Sequence, residues 1–136
     1  MGKYNNKKCK TTLNGKEYSF DSLLERNHAI KLVARLNKGI ITNLSFQPEF
    51  ELLGGHTYFT NSTKSGKTKQ AAIKYISDFK YTKDGRVIVE DAKGMTTSIY
   101  QLKKKIFLSK LEEFGIDEFR EIYKADIVIY KSIKNP

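Results

Sequence analysis

The sequence contains one cysteine, Cys9, and no long run of apolar residues. A single cysteine cannot form an internal disulfide, and no cysteine or histidine partners stand at the spacing of a zinc site. The longest apolar stretches, such as residues 127–130, are far too short to span a bilayer. The first residues do not show the charged segment followed by an apolar one that marks a secretory signal. These absences predict a cytoplasmic protein that inserts into no membrane.

Positive charge is the most pronounced property of the composition. The 136 residues carry a formal net charge of +10. Apolar residues make up 39% and aromatic residues 12%, which is typical of a folded chain, and the length predicts a single domain, residues 1–136. A balance this basic favours a polyanionic partner, with nucleic acid ahead of an anionic membrane surface. The alternative at this point is a soluble protein that is basic without such a partner.

Turn and cap signals divide the chain into alternating helices and strands, which predicts an α/β (α+β) fold. Residues 1 to about 12 are predicted to form a basic, partly mobile N-terminal arm. Within and after it, Asn14-Gly15 predicts a short hairpin between residues 9–13 and 17–20. The start of the arm is not part of any predicted element.

The first helix has clear start and stop signals. Asp21 or Ser22 offers an N-cap, apolar residues then recur at helical spacing, and Gly39 ends the helix. The strand-rich stretch that follows is broken by Pro48, which predicts a strand that bends or lies at an edge. Residues 54–70 are rich in glycine, serine, threonine and lysine and are predicted to be a long exposed loop.

The last third of the chain contains a second helix and two short strands. Residues 96–115 end in a glycine stop and have apolar side chains at helical spacing, which are Ile99, Leu102, Ile106 and Leu111. Residues 119–123 and 126–130 are short strand candidates. No internal repeat and no linker divides the chain.

The central strands, predicted at residues 71–82 and 86–93, are joined by a strong turn signal. Asp84-Gly85 is among the best short-range indicators of a two-residue hairpin turn. If these residues form the turn, counting outward places Asp78 directly opposite Asp91. Hairpin loops of three to five residues are also common, and they would shift this pairing.

Two facing carboxylates inside an apolar hairpin need a reason, because like charges placed opposite each other are destabilising. Strand alternation puts Asp91 and Lys93 on one face and Glu90 on the other. A divalent cation between Asp78 and Asp91 is the simplest reason, since Mg²⁺ binds through one or two carboxylates and keeps several waters. Lys93 would then offset the remaining charge or contact a phosphate and an attacking water. The alternative is a solvated face on which Lys80 and Lys93 neutralise both aspartates.

Asp78, a hairpin and then Asp91-Ala92-Lys93 resemble the D…(D/E)-x-K core of the PD-(D/E)xK, or restriction-endonuclease-like, nucleases. In that superfamily a glutamate on the preceding helix often completes the site, and Glu25 stands there. The order is similar to that of phage endonuclease I type Holliday-junction resolvases and of nuclease subunits of Tn7-like transposases. The series NKK, FDSLLER, FQPEFEL, SDFKY, VEDAKG and YQLKKKIF resembles a family of small phage nucleases over roughly residues 4–123. One departure is Ser77, which replaces the proline of the motif name.

The resemblance implies a restriction-endonuclease-like core with a central mixed β-sheet flanked by helices. It implies a Mg²⁺- or Mn²⁺-dependent endodeoxyribonuclease that hydrolyses phosphodiester bonds in branched DNA, as a phage Holliday-junction resolvase does. Asp78, Asp91, Glu25 and the Ala92 carbonyl would hold the metal, and Glu25, Asp78, Asp91 and Lys93 would be catalytic. Junction resolution needs two cuts, so a homodimer is expected. If the protein is phage-encoded, it would work in the cytoplasm of the bacterial host.

Further residues are predicted to contact DNA phosphates or to lie near the site. The predicted DNA contacts are Lys7, Lys8, Lys67, Lys69, Gln101, Lys103 and Lys104. Gln47 is a possible site neighbour, although a strand-end hydrogen bond explains it equally well. Glu25 has the alternative of completing a capping box with Ser22, and a lysine run on a helix is usually a solvated face. His28 and His56 fit no metal pattern and are predicted to be structural or at the surface.

Two other functions stay open from the sequence. One is a restriction- or transposase-type nuclease subunit of the same fold, which would need a partner for specificity. The other is a non-catalytic DNA-binding protein, for which the net charge of +10 suffices and the acidic residues are incidental.

Overall fold

The computed structural model describes residues 8–133, and Lys7 with the start of the N-terminal arm lies outside them. The elements in chain order are β1 (Cys9–Leu13), β2 (Lys16–Phe20), α1 (Leu23–Asn37), β3 (Thr42–Phe46), β4 (Glu49–Leu53), β5 (His56–Phe59), β6 (Lys67–Gln70), β7 (Ile73–Ile76), β8 (Phe79–Lys83), β9 (Arg86–Ala92), α2 (Ser98–Ser109), β10 (Glu118–Ile122) and β11 (Ile127–Lys131). Neither described helix is long and apolar enough to cross a membrane.

A five-stranded mixed sheet forms the centre, in the order β11–β10–β9–β8–β3. β9 and β10 are parallel, and the other neighbours are antiparallel. Successive side chains of β9 point to opposite faces of the sheet and so belong to two cores. Ile88 packs in a cluster with Leu32 of α1, and Val89 packs in another with Phe107 of α2. One helix therefore covers each face of the sheet. The predicted mixed α+β class, with a central mixed sheet flanked by helices, agrees with this arrangement.

The first hairpin and the first helix form where the sequence predicts them. Asn14 and Gly15 occupy the turn with φ of 49° and 80°, the left-handed region that such a two-residue turn requires. The Ser22 hydroxyl caps α1 by accepting from the backbone N–H of Glu25, and Gly39, with φ of 75°, follows the C-cap.

The predicted bend at Pro48 is present. β3 pairs with β8 and β4 pairs with β7, so the two halves of the bent strand follow two successive partners. Gln47 turns the chain between them in a left-handed conformation, with φ of 54°. Pro48 has no N–H to donate, but its carbonyl accepts from the N–H of Ser77 at 3.0 Å.

The long exposed loop predicted over residues 54–70 is exposed, but the absence of secondary structure there is wrong. β5 and β6 pair there as an antiparallel hairpin, from His56 opposite Gln70 to Phe59 opposite Lys67. Every side chain of β5 is exposed, so neither apolar burial nor alternation marks these residues in the sequence. The backbone hydrogen bonds between β5 and β6 are what orders these residues.

The predicted apolar stripe of α2 is partly wrong. Ile99 and Leu102 are 69% and 60% exposed, whereas Tyr100 and Phe107 are the buried residues of this helix. Tyr100 and Phe107 are seven residues apart and therefore share one face of the helix, and this face is the one that covers the sheet. The helix ends at Ser109, before the predicted glycine stop. β10 and β11 lie within one residue of their predicted positions.

The central hairpin has the predicted register. Asp84 and Gly85 form its turn with φ of 51° and 77°, and the strands pair outward as far as Phe79 opposite Glu90. Because the register decides which side chains face each other, it sets the geometry of the acidic residues beyond the last pair.

Candidate active site

Asp78 and Asp91 stand where β8 and β9 part, one residue beyond the last pair of the ladder. Each carboxylate is bound by the other strand. The N–H of Asp78 donates to Oδ1 of Asp91 at 2.9 Å, and the N–H of Ala92 donates to Oδ2 of Asp78 at 2.8 Å. The strand predicted over residues 71–82 is interrupted at this point, because the Asp78 N–H is shared between the Asp91 carboxylate and the Glu90 carbonyl, at 3.2 Å.

Asp91 is held on every side by protein donors. The carboxylate is 1% exposed. Oδ1 accepts a second hydrogen bond from the Ser77 hydroxyl at 3.3 Å, and Oδ2 accepts one from the Tyr75 hydroxyl. The ammonium of Lys93 lies 3.6 Å from Oδ2. Asp91 is therefore fixed in position, and both of its oxygens are engaged.

Asp78 is held on one side only. Its Oδ2 accepts from the Ala92 N–H and its carboxyl group also shares a hydrogen bond with that of Asp91, while no N–H or hydroxyl of residues 8–133 donates to its Oδ1. Its carbonyl accepts from the N–H of Gln47 at 2.9 Å. The possible site neighbour Gln47 is thus beside Asp78, through the strand-end type of hydrogen bond that the sequence left as an alternative. Its side chain is exposed.

Lys93 follows β9 and is placed by α2. Its ammonium lies 4.2 Å from the centroid of the Tyr100 ring, in the first turn of that helix. The backbone N–H of Lys93 donates to the Ile122 carbonyl of β10 at 2.8 Å. A cation between an aromatic face and a carboxylate is attracted by both, so this side chain is directed at Asp91 rather than at bulk solvent.

Glu25 caps α1 and is also subject to the charges of the residues around Asp91. It lies in the first turn of α1, where its N–H donates to the Ser22 hydroxyl at 3.1 Å and its Oε1 accepts from the Asp21 N–H at 3.4 Å. The side chain is buried. The charges of Asp91 and Lys93 both act on its pKa. Capping and proximity to the aspartates therefore occur together, and Glu25, Asp78, Asp91 and Lys93 are called the acid centre below.

All three carboxyl groups of the acid centre have raised pKa values. Burial, followed by the charges of Asp91 and Glu25, raises the pKa of Asp78 to about 8. Burial raises the pKa of Asp91 although Lys93 and the Tyr75 hydroxyl act in the opposite direction. Burial and the charge of Asp21 raise that of Glu25, with a further contribution from Asp91. Negative charge is concentrated here beyond what the nearby Lys93 neutralises.

The donor chemistry of the acid centre fits a hard divalent cation, but the donors are not assembled around one point. Carboxylate oxygens are the ligands that Mg²⁺ and Mn²⁺ prefer, and Oδ1 of Asp78 is free to bind. Within residues 8–133, however, no three His, Cys, Asp or Glu side chains form a group that could hold a metal ion. Because Asp91 uses both oxygens on protein donors, Asp78 is the residue best able to act as a ligand, with Glu25 in support.

A buried network that no sequence signal predicts lies beside the acid centre. Glu121 stands next to Asp91 on β10 and is 1% exposed. Its carboxylate accepts from the hydroxyls of Tyr100 at 2.6 Å and Tyr130 at 2.8 Å, and from the Lys104 ammonium at 3.2 Å. Burial alone would raise the pKa of Glu121, but these donors together lower it. Tyr100 therefore links Lys93 to a second fixed carboxylate.

Tyr75 and Ser77 were also missed, although their spacing carries a usable signal. They alternate along the chain just before Asp78, so both side chains point to the face on which Asp91 lies. Glu90 points to the opposite face, where its carboxylate meets the His28 ring at 2.6 Å and the Tyr81 hydroxyl at 2.5 Å. His28 is structural, as predicted, and Glu90 is separate from the acid centre.

Most of the predicted DNA contacts that are described lie at the surface. Lys8, Lys67, Lys69 and Gln101 are exposed and Lys103 is partly so, whereas Lys7 lies outside the described residues. Lys104 differs from them: its side chain is 14% exposed and its ammonium is bound by Glu121 and Tyr130. A lysine held in this way is poorly placed to contact a phosphate.

The raised pKa of Asp78 predicts a pH-dependent stability. Because the pKa is about 8 in the folded protein and 3.8 ordinarily, the stability linked to this proton is fully present below about pH 4 and is lost as pH rises to about 8, since only the unfolded chain releases the proton over most of that range. In EDTA, Asp78→Asn should therefore be more stable than the wild type, with a gap that widens from pH 5 to pH 8 by about 1 kcal/mol or more. Urea unfolding at both pH values measures it. Asp84→Asn, at an exposed turn, is the control, and a gap of constant size would contradict the burial argument.

The Lys104 pair gives a second prediction. Lys104→Met leaves Glu121 buried with two hydroxyl donors and no cation, which should lower the free energy of unfolding by about 1–3 kcal/mol. Lys105→Met, on the exposed side of the same helix, should change it by less than about 0.5 kcal/mol. Urea unfolding of both proteins at neutral pH is the measurement. Equal stabilities would show that the ion pair contributes nothing.

Comparison with known proteins gives one result for the whole chain. No curated protein matches it, and no solved structure does. A family model described as "Protein of unknown function (DUF1064)" matches residues 1–135. That match spans nearly the full length, so it includes every residue of the acid centre. The chain belongs to the family of proteins of unknown function DUF1064.

Proposed function

We propose that this protein is a metal-dependent endodeoxyribonuclease that hydrolyses phosphodiester bonds in branched DNA. The observation that carries the proposal is the pair of aspartates at the β8–β9 opening, with Lys93 3.6 Å from Asp91 and the charge of Glu25 acting on Asp78. These residues are the Asp, the Asp-x-Lys and the helix Glu of the sequence resemblance, and their charges act on one another. The net charge of +10 supports a polyanionic substrate.

The chemistry would divide among these residues according to what each is free to do. Asp78 offers an oxygen to which no described N–H or hydroxyl donates, and Glu25 adds negative charge beside it. A bound Mg²⁺ or Mn²⁺ would supply an activated water and compensate charge at the phosphate. Asp91, fixed by Tyr75 and Ser77, holds Lys93 in place.

Lys93 would act on the phosphate. Its ammonium is directed towards the acid centre by Asp91 and by the Tyr100 ring, so it carries a positive charge to where the non-bridging oxygens become more negative during hydrolysis. Preorganised charge of this kind lowers the barrier without being reoriented during the reaction. This role of Lys93 depends on the charge of its ammonium, whereas its packing against Tyr100 depends on the aliphatic part of the side chain.

Branched DNA is the substrate that the sequence resemblance indicates, and a homodimer is the assembly that two symmetric cuts require. Incubating the protein with a four-way junction, with a linear duplex of the same sequence and with plasmid, in Mg²⁺ or in EDTA, tests both substrate and metal. Preferential Mg²⁺-dependent cleavage of the junction is expected. Cleavage of linear duplex at the same rate would favour a restriction- or transposase-type nuclease subunit instead.

Asp78→Asn should abolish cleavage of the junction while binding persists or tightens, because it removes the free carboxylate oxygen and one repulsive charge. Asp91→Asn should also abolish cleavage, but it places an amide against donors from Tyr75 and Ser77 and would disturb the fold as well. Gel-based cleavage and fluorescence anisotropy measure the two effects. Asp84→Asn is the matched control.

Near wild-type cleavage by Asp78→Asn in Mg²⁺ would remove this residue from the mechanism. Glu90→Gln is unsuitable as a control, because Glu90 is buried in hydrogen bonds with His28 and Tyr81, so a loss of activity there would report instability.

The Lys93 charge predicts a defect in the chemical step alone. Lys93→Met keeps an unbranched side chain against Tyr100 and removes the ammonium, so junction binding should stay near that of the wild type. Single-turnover cleavage should slow by about 100-fold or more, a size typical of transition-state charge stabilisation. Lys105→Met is the control for loss of one positive charge. A Lys93→Met protein that cuts at the wild-type rate would exclude the Asp-x-Lys motif from catalysis.

A second function is favoured by one specific observation. Both oxygens of Asp91 are engaged by protein donors, and the described residues hold no assembled metal-binding group. This supports a non-catalytic DNA-binding protein in which the hydrogen bonds of the acid centre hold β8 and β9 together. Tight DNA binding in EDTA, with no Mg²⁺- or Mn²⁺-dependent cleavage of any substrate above, is the result that this alternative predicts.

A further inference from the structure

A groove of about 850 Å³ lies between α1 and the turn that joins β10 and β11. One wall is the outer side of α1, from Leu24 to Arg35, and the other includes Ile122 and residues 123–127. Glu90 contributes to its lining, and Glu90 points away from the sheet face that carries Asp91. The groove is thus distinct from the acid centre and shares α1 with it.

The acidic group in the depth of the groove is already neutralised. The Glu90 carboxylate is 1% exposed, accepts from the Tyr81 hydroxyl, meets the His28 ring and lies 3.7 Å from the Arg120 guanidinium. The other acid of the lining, Asp126, accepts from the backbone N–H of the following residue. The charge of Glu90 is thus compensated in the depth of the groove, whereas Asp126 keeps its charge at an exposed position of the lining.

Apart from Arg120, which pairs with Glu90 and Glu118, the cations that line the groove have no acidic partner. They are Lys31, Arg35, Lys83 and Lys124. Among residues 8–133, none of them has a carboxylate oxygen within 4.0 Å. Lys31 and Arg35 stand one turn apart on the same helix, where like charges destabilise each other. Unpaired positive charge on both walls of one groove favours a polyanion.

The cations are spread along the groove rather than gathered at one point. Lys124 follows β10 at the end of the sheet where Asp91 lies, and Lys83 is at the opposite end, beside the β8–β9 turn. Along α1, the wall from Leu24 to Arg35 covers about 16 Å at 1.5 Å per residue. A single small anion would leave most of this length unfilled, whereas a chain of phosphates would follow it.

We propose that this groove, called the α1 groove, binds the phosphate backbone of a nucleic-acid strand that leads away from the acid centre along α1. The proposal rests on the proposed function in taking nucleic acid as the substrate, but it requires no cleavage. It assigns DNA contact to Lys31 and Arg35, which are separate from the α2 lysines. Phosphate contacts of this kind fix position and carry little sequence information.

The test is a DNA-binding titration in EDTA. A short fluorescein-labelled duplex is titrated with the wild type, with Lys31→Glu/Arg35→Glu, and with Lys16→Glu/Lys105→Glu, which changes net charge equally at two exposed sites outside the groove. The groove variant should bind about tenfold or more weakly than the matched control. The slope of log Kd plotted against the logarithm of the salt concentration should also fall by about 2, because each lost phosphate contact contributes roughly 0.9. Lys31→Gln/Arg35→Gln, without reversed charge, should show the same direction.

Two outcomes would overturn the proposal. One is a groove variant whose affinity and salt slope equal those of the matched control. The other is displacement of the labelled duplex from the wild type by an oligoglutamate of equal charge as readily as by unlabelled duplex, which would indicate an acidic protein partner. The nuclease is judged separately: cleavage without any effect of the groove variants rejects the groove alone, and groove-dependent binding without cleavage rejects the nuclease alone.

Discussion

The reciprocal hydrogen bonding between Asp78 and Asp91 is the constraint on which the surrounding structure depends. Each carboxyl group accepts from a backbone N–H of the opposite strand, so the two acidic side chains are held together by donors that cannot move away. Satisfying them interrupts the strand between β7 and β8. The segment between β3 and β4 is held to this interruption by two hydrogen bonds. The Asp78 carbonyl accepts from the Gln47 N–H, and the Ser77 N–H donates to the Pro48 carbonyl. The bend between β3 and β4 is thus matched to the interruption beside it.

The acidic side chains on β9 and its neighbours differ in how fully protein donors engage their oxygens. Glu90 and Glu121 lie among hydroxyls and cations that engage their oxygens. Asp78 keeps one oxygen to which no described N–H or hydroxyl donates, and its pKa is raised to about 8. A group left incompletely satisfied in a buried setting costs stability, and such costs recur where a residue is kept for binding or chemistry. This contrast, more than acidity as such, distinguishes Asp78 from the other buried acids as a functional candidate.

How far the sequence predicts the site follows from how local each interaction is. The register that brings Asp78 to Asp91 is set by the Asp84-Gly85 turn, and the position of Glu25 is set by a cap three residues away, so both were predictable. The Tyr100–Glu121–Lys104 network depends on the parallel pairing of β9 with β10, which no turn specifies. For the same reason the sequence predicts that Lys104 contacts DNA, and it predicts a loop where the exposed β5–β6 hairpin, which lacks any buried face, lies.

α1 contributes residues to both the acid centre and the α1 groove. Its first turn holds Glu25 beside the aspartates, and the following turns carry the groove wall from His28 to Arg35. A rigid helix fixes the separation between these positions at 1.5 Å per residue. A strand whose phosphates follow Lys31 and Arg35 would therefore be held at a fixed distance from Asp78. Specificity for DNA shape could then arise without base contacts, because only a substrate whose branches reach both surfaces would gain from both sets of charges.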